Sequence, residues 1–293
     1  MLKINHAVAG LFILNLLPAL AWAQERLPAP YFIAYDHYME EAGALGIESI
    51  AVQGQAHDIN TFIGGITEFE YAPRRWWTTE LYLDWQHTQH EGALFTGYRW
   101  ENRFRPLLEE HRINPVLYLE YEDLNAADKA LKEIVGFDNR EDLKVPNSIA
   151  REIRLHELET RLILSSNIRQ WNVTGNFIGE KNLTGNPWEF GYVAGVSRPL
   201  AAPTGKHCTF CAEKFSAGLE LYGGLGVANH LTLNGTSHYI APDLLWALPA
   251  DTTIRFSPGW GLTDDSVRIL FRVGVTHDID DIGRKLGALF HRR

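Results

Sequence analysis

Residues 77–105 read WTTELYLDWQHTQHEGALFTGYRWENRFR, and this stretch decides the fold. On either side of a polar break in its middle, large apolar residues occupy every second position, with polar or charged residues between them. Leu81 and Leu83 therefore fall on one face of an extended chain, and Glu80 and Asp84 fall on the other. Alternation with a period of two predicts β-strands that have one apolar and one polar face.

The same pattern continues outward in both directions. It predicts twelve strands, at residues 46–56, 60–72, 75–88, 92–106, 113–124, 151–166, 169–181, 187–200, 212–225, 236–249, 252–262 and 266–279. These lengths suit tilted membrane strands of about ten residues and exceed the five or six usual in soluble sheets. An even strand number is typical of bacterial single-chain barrels. The sequence predicts an all-β fold, a single antiparallel up-and-down transmembrane β-barrel over residues 46–279.

Aromatic residues gather near the ends of the predicted strands. The tryptophans at such positions are Trp76, Trp77, Trp85, Trp171, Trp188, Trp246 and Trp260. Tryptophan also favours strands in general, but its placement at strand ends favours the interfacial girdles of a membrane barrel.

Residues 1–23 have the features of a secretory signal peptide. Lys3 is followed by an apolar run, and residues 21–23, Ala-Trp-Ala, form a small-x-small cleavage site. The alternative is a membrane anchor, but the run is shorter than a spanning helix needs and contains Pro18. We therefore expect export of the chain, with residues 24–45 as an N-terminal extension of the barrel.

Composition excludes several other classes of protein. The chain has 293 residues, a formal net charge of −9 and 45% apolar residues. The apolar content excludes wholesale disorder. The acidic balance offers no excess of cations for a phosphate backbone, so no nucleic-acid partner is expected. Two cysteines exclude a disulfide-dense scaffold.

Two segments outside the strands have helical patterns. In the long insert at 125–150, residues 126–135 predict a short amphipathic helix that either covers the barrel rim or folds into the mouth as a constriction. Residues 280–293 predict a short C-terminal helix in a basic tail. The connections between strands alternate between short and long, as expected for periplasmic turns and outer loops.

The polar faces of the strands place many charges in the predicted lumen. The expected network comprises Glu80, Asp84, Arg99, Glu101, Arg103, Arg105, Glu120, Glu122, Glu157, Glu159, Arg161, Arg255, Arg268 and Arg272. Glu220 and Asp243 share this side. Arg103 is expected close to Glu80 or Glu120, since arginine binds carboxylates bidentately. Such a network either fills the barrel structurally or forms an eyelet that selects solutes.

The motif His207-Cys208-Thr209-Phe210-Cys211 contains both cysteines. It lacks the histidine that a c-type haem site needs after the second cysteine. In an oxidising compartment the pair favours a local disulfide. A metal site with His207, Cys208 and Cys211 and a redox exchange are the other interpretations, although no fourth metal ligand lies nearby. No cofactor is predicted.

Enzyme motifs are not found in the sequence. No G-x-S-x-G, P-loop or G-x-G-x-x-G unit occurs. Ser237 and His238 are adjacent in a strand and point to opposite faces, so they cannot act together. We therefore expect no enzyme activity, with an outer-membrane hydrolase as a third interpretation.

The chain resembles bacterial outer-membrane β-barrel proteins in its signal segment, alternation, girdles and strand number. Trp77–Arg105 and Glu157–Ser166 also look like parts of an uncharacterised porin-like family. The resemblance implies a Gram-negative outer membrane, lipid and the barrel-assembly machinery as partners, and small solutes as cargo. It implies a narrow pore or passive transport channel with a charged lumen, or a plugged structural barrel. A soluble periplasmic or secreted β-sheet protein that binds a ligand is the alternative, because alternation does not distinguish inside from outside.

Overall fold

The fold is a closed barrel, seen in a computed structural model that describes residues 27–131, 134–203, 208–283 and 285. The strands are β1 (Leu45–Gln55), β2 (Phe62–Arg74), β3 (Trp77–Thr88), β4 (Gly92–Phe104), β5 (Asn114–Asn125), β6 (Arg154–Ile168), β7 (Trp171–Asn182), β8 (Trp188–Pro199), β9 (Phe215–Val227), β10 (His230–Leu231), β11 (His238–Leu248), β12 (Thr252–Gly261) and β13 (Ile269–Ile279). The long strands are antiparallel to their neighbours, and β13 pairs with β1. The two-residue β10 pairs only with the end of β9. The predicted twelve-stranded barrel is confirmed, and each predicted strand boundary lies within three residues of the observed one.

The direction of the alternation distinguishes this barrel from a soluble sandwich. In β3, Leu81 and Leu83 are 42% and 37% exposed on the outer surface, whereas Tyr82 and Asp84 are fully buried inside. A soluble sandwich would bury its aliphatic face and expose its charges. An apolar exterior around a charged interior is the arrangement of a membrane barrel, whose closed sheet leaves no open edge strand in the lipid.

The barrel has two distinguishable ends. We call the end at which β1 begins and β13 ends the terminal end, and the opposite one the far end. Seven tryptophans lie near strand ends: Trp76, Trp77, Trp171 and Trp246 towards the terminal end, and Trp85, Trp188 and Trp260 towards the far end. Aromatic residues near both ends are typical of membrane barrels, in which they mark the two interfaces.

The predicted helix over residues 126–135 is wrong. Residues 126–131, 134 and 135 form turns and irregular backbone, with Leu131 at a φ of 51°, and Gly136 forms an isolated β-bridge with Gly226. Isolated helices this short are marginal in water, and contacts with the barrel wall determine the path instead. In the same connection, the structure has a 3-10 turn at Asp142–Lys144 and one α-helical turn at Asn147–Ala150.

Two other predictions fall at the ends of the chain. The predicted signal peptide at 1–23 lies outside the described residues. Of the predicted C-terminal helix, Ile282, Gly283 and Lys285 are helical, while residues 284 and 286–293 lie outside the described part. No helix in the described ranges has the length and apolar character needed to cross a membrane.

Candidate functional site: a charged lumen closed by the N-terminal segment

The N-terminal segment lies inside the barrel. Residues 27–44, which we call the plug, enter from the terminal end, reach the middle of the lumen and return to start β1. Tyr31, Phe32, Ile33 and Ala34 at its tip are 3%, 6%, 1% and 8% exposed. The sequence predicts only an N-terminal extension of the barrel for residues 24–45, and their position inside the lumen is apparent only in the structure. The signal for the plug was an aromatic-rich segment without any strand or helix period.

The tip of the plug is anchored through its backbone by Glu220 on β9. The Glu220 carboxylate accepts hydrogen bonds from the amides of Phe32 at 3.1 Å, Ile33 at 2.9 Å and Ala34 at 2.6 Å. Three converging N–H groups form a concave anion site, and hydrogen bonds to a charged acceptor are stronger than neutral ones. This one side chain therefore holds three consecutive residues of the plug.

Other strands bind the rest of the plug backbone. Asn176 on β7 accepts from the Tyr35 amide at 2.7 Å and donates to the Tyr35 carbonyl at 2.9 Å. Arg161 donates to the Ile33 carbonyl at 3.2 Å, and Arg255 donates to the carbonyl of Tyr31. The wall thus replaces several of the hydrogen bonds that the backbone at the tip of the plug would make with water.

The returning half of the plug is fastened at the terminal mouth. The His37 amide donates to Ser165 Oγ at 2.9 Å, and His37 Nδ1 lies 2.5 Å from the same oxygen. His37 Nε2 lies 2.8 Å from a carboxylate oxygen of Glu110. This Ser–His–Glu set is closed to a substrate, because His37 is fully buried, Ser165 is 2% exposed, and Ser165 Oγ already accepts a backbone hydrogen bond.

The lumen charges form arginine–carboxylate clusters. Arg99 contacts both oxygens of Asp84 at 3.0 Å and lies 3.7 Å from Glu120. Arg161 lies 2.5 Å from Glu159. Arg255 pairs with Glu48. Each of these arginines thus neutralises a carboxylate in the same part of the wall.

Arg103 is the centre of the largest cluster. It contacts Glu80, lies 2.5 Å from Glu70 and 3.0 Å from Glu101, and its guanidinium lies 4.9 Å from the centre of the Tyr35 ring. The expected proximity of Arg103 to Glu80 thus appears in the structure. The contact with Tyr35 joins this cluster to the plug.

The structure does not place every predicted residue in the network. Ten of them are buried in the lumen: Glu80, Asp84, Arg99, Glu101, Arg103, Glu120, Glu122, Glu159, Arg161 and Arg272. Glu157 and Arg255 face the lumen but are partly exposed. Arg105 and Arg268 are corrections to the prediction, because β4 ends at Phe104 and β13 begins at Ile269, one residue short of each. Arg105 binds the Leu107 carbonyl, and Arg268 is exposed in a connection.

Two groups of carboxylates are close enough to share a cation. They are Glu68, Glu70 and Glu80, and Glu122, Glu159 and Glu180. Arg103 supplies positive charge to the first group and Arg161 to the second. Both groups therefore belong to the arginine–carboxylate network.

The connection between β5 and β6 closes the far mouth. Lys129 donates to Thr88 at 3.3 Å, and Arg272 donates to the Leu131 carbonyl at 3.0 Å. A Cβ on Gly64 would lie 2.8 Å from the Cα of Ala130, so only glycine admits the connection this close to the wall. Of the two predicted arrangements, the segment takes the one inside the mouth.

Plug and connection share one apolar core. Phe32 and Ile33 of the plug, Ile134 and Val135 of the connection and wall residues such as Tyr222 belong to a single buried cluster. Beside the plug, a cavity of about 330 Å³ remains, lined by Glu40, Glu48, Glu70, Arg103 and Arg255 among others. The lumen is filled by the chain itself, with a charged cavity at the terminal side.

The docking of the plug should depend on pH through Glu40. Burial raises the pKa of Glu40 to about 7, and the nearby Asp278 carboxylate raises it further while Arg103 opposes the shift. The docked plug therefore binds this proton more tightly than the released plug, so its docking is strongest at low pH and weakens as the pH rises through about 7. We expect a cysteine placed at Ala34 to react with a soluble thiol reagent faster at pH 8 than at pH 6, after correction for the reactivity of the reagent. The variant Glu40→Gln should remove most of the difference; an unchanged pH profile would contradict this assignment.

Cys208 and Cys211 are joined by a disulfide in the connection between β8 and β9. Phe210 between them is 74% exposed and lies 4.7 Å from Trp246, ring to ring. His207 lies outside the described residues, and the disulfide leaves no thiolate at Cys208 or Cys211 for the alternative metal site, so the two interpretations exclude each other. We expect protein from its own compartment to show no free thiol when denatured without reductant. Two reactive thiols under those conditions would refute the disulfide, and alkylation with mass measurement gives the count. Because the bond closes a very short loop, its reduction should leave the barrel's thermal midpoint nearly unchanged.

Comparisons with known proteins identify the fold. No family model matches the chain, and a search of curated proteins gives no match. An outer-membrane channel from Pseudomonas putida F1 superposes with a TM-score of 0.55 at 10% identity, over 83% of this chain and 98% of that one. The KdgM porin gives 0.49 at 8% identity, over 79% and 98%, and the NanC porin gives 0.48 at 9% identity, over 80% and 98%. At such low identity, the likeness to the first of these shows a shared barrel fold.

Proposed function

We propose that this chain is a passive transport pore of a Gram-negative outer membrane, held shut by its own plug. The observation that carries the proposal is a charged barrel interior occupied by a segment that is bound through hydrogen bonds to its backbone. Such bonds exchange for bonds to water when the segment leaves, so docking is reversible in principle. The lumen left behind would be lined by paired charges that suit small polar solutes.

The location follows from the outer surface. An apolar exterior with tryptophans near both ends fits a lipid bilayer and does not fit a soluble protein. Lipid and the barrel-assembly machinery are the partners that this fold requires for insertion. A cleaved signal peptide at residues 1–23 completes the proposal.

A plugged structural barrel is the second candidate. Its support is the continuous apolar core between plug and wall, which would resist removal of the plug. A hydrolase has less support, because Ser165 and His37 of the Ser–His–Glu set are buried and Ser165 holds the plug.

Membrane fractionation followed by planar-bilayer recording tests the proposal. We expect the protein in the outer-membrane fraction, with heat-modifiable mobility on gels and brief, infrequent openings in bilayers. Recovery in the soluble fraction would exclude the barrel pore. A membrane barrel that stays silent even after the plug is weakened would establish the structural barrel instead.

A further inference from the structure

Two prolines face each other in the barrel wall between β11 and β12. The ladder pairs Ile240 with Trp260 and, further along, Leu244 with Phe256. Continuing the register between these pairs places Pro242 opposite Pro258. The intervening positions, 241–243 and 257–259, have no ladder pairing between these strands. We call this interruption the seam.

The seam follows from the chemistry of proline. Pairing is lost at the proline pair and at one position on either side of it, which is the pattern expected when both residues of a hydrogen-bonded pair have no N–H to exchange. Proline has no N–H to donate. Each carbonyl oxygen at this pair therefore faces the other strand without a donor from it. Prolines are normally confined to edges and bulges for this reason, and lipid offers no donor from the outer side.

The inner side of the seam carries further oxygen atoms. Continuing the register also places Asp243 opposite Ser257, and these side chains are 4% and 0% exposed. Ser257 Oγ lies beside the Asp243 carboxylate, but within the described ranges none of these three oxygens has a partner in strict hydrogen-bonding geometry. A serine hydroxyl donates one hydrogen bond at most, so even a rotation towards Asp243 would leave most of the acceptor capacity unused.

The neighbouring cations are engaged elsewhere. Arg255 pairs with Glu48 and binds the plug, and Arg272 binds Tyr222 at 2.8 Å and the connection at the far mouth. The described residues place no arginine or lysine within ion-pairing distance of Asp243. Arg272 and Arg255 attract the Asp243 carboxylate only from a longer distance, and a buried carboxylate without a direct ion pair is unfavourable.

A second carboxylate lies close by and adds to this imbalance. Glu220 pairs in register with Ala241, next to Asp243 in the sheet. Its oxygens already accept three amide hydrogen bonds from the plug. The seam thus has more hydrogen-bond acceptors than donors. Such a surplus of oxygen acceptors favours a cation over a neutral or anionic ligand.

We propose that the seam is a binding site for a hard divalent cation of the Ca²⁺ type. Its ligands would be the Asp243 carboxylate, Ser257 Oγ and the carbonyl oxygens of Pro242 and Pro258. Oxygen ligands of mixed charge suit Ca²⁺, whereas Mg²⁺ demands a regular octahedron and dehydrates reluctantly. With a single carboxylate the site belongs to the weak range, with a dissociation constant of about 10⁻⁴–10⁻³ M.

Calcium binding to the full-length protein in detergent tests the proposal. After removal of metal with EDTA, we expect equilibrium dialysis with radioactive Ca²⁺ to show a saturable site, and the thermal midpoint on heat-modifiability gels to rise by about 2–4 °C. Mg²⁺ at equal ionic strength should give little of this shift. The variant Asp243→Asn should abolish saturable binding, yet fold normally because the change preserves shape and removes an uncompensated charge.

A second variant tests the role of the prolines. Pro258→Val restores an N–H that can donate to the Pro242 carbonyl, so it should raise the midpoint in EDTA and weaken Ca²⁺ binding about tenfold. The exposed Asp264→Asn is the control, and Glu180→Gln reports on the acidic group around Glu122. Unchanged binding in Asp243→Asn would overturn the proposal, as would loss of binding in Glu180→Gln alone. Failure of the wild-type protein to bind Ca²⁺ would also overturn it and would indicate that water fills the seam.

Discussion

Replacing Glu220 by glutamine should open the barrel. The three amides of Phe32, Ile33 and Ala34 would lose a charged acceptor. The glutamine NH₂ group, itself a donor, would face at least one of these N–H donors. Weakening charge-assisted hydrogen bonds by about 2 kcal/mol in total raises the ratio of released to docked plug about thirtyfold. We therefore expect Glu220→Gln to convert rare openings into frequent ones in planar-bilayer recordings.

Glu189→Gln is the matched control for this experiment. Glu189 also belongs to the acidic wall, but it lies at the far end on β8 and is not among the groups that bind the plug. It should change the current little. If Glu220→Gln and Glu189→Gln have the same open probability as the wild-type protein, the plug is not held by Glu220 or does not gate a pore.

Replacing Arg103 by methionine should destabilise the barrel more than any other single change at the lumen wall. The change leaves Glu70, Glu80 and Glu101 close together without their cation. Removing one partner of a buried ion pair costs about 3–5 kcal/mol, because the remaining charge stays buried. We expect the midpoint of urea unfolding in lipid micelles, followed by tryptophan fluorescence, to fall accordingly.

A double variant separates lost pairing from lost packing. Arg103→Met combined with Glu80→Gln removes one stranded charge, so part of the lost stability should return. Arg105→Met, at a position beyond the end of β4, is the control and should have little effect. An Arg103→Met protein as stable as the wild type would show that the carboxylates of this cluster are neutral in the folded barrel.

The strands were predictable because the rule that forms them is local. In β3, successive side chains face lipid and lumen in turn, and the polar break before Gly92 marks the turn to β4. Twelve such segments sufficed for the architecture. The pairing of Arg103 with Glu80 could also be anticipated, since neighbouring strands with short turns have a constrained register.

The contents of the lumen were not predictable in the same way. The plug makes its contacts with Glu220, Asn176 and Arg161, which are more than a hundred residues away in sequence. No periodicity encodes such contacts. Residues 126–135 carried a helical pattern, but the wall binds the Leu131 carbonyl and packs Ala130 against Gly64, and these contacts override a weak local preference.

The seam could be predicted only in part from the sequence. Pro242 and Pro258 are visible in the sequence, and each falls inside a predicted strand. Their opposition depends on the register between β11 and β12, which only the structure supplies. The same holds for Asp243 and Ser257, whose isolation is a property of the folded wall.

Closure of the barrel by β1 and β13 has a consequence for the order of folding. Leu45 pairs with Ile279, so the ladder that closes the barrel joins residues from opposite ends of the barrel sequence. Contacts of such high sequence separation form slowly, and the open edges of β1 and β13 invite wrong pairings until they meet. The plug precedes β1 and touches β6, β7, β9 and β12, which surround it only in a finished barrel. Occlusion of the lumen is thus a late step of assembly, and protection of the plug from a protease would report that the ring is complete.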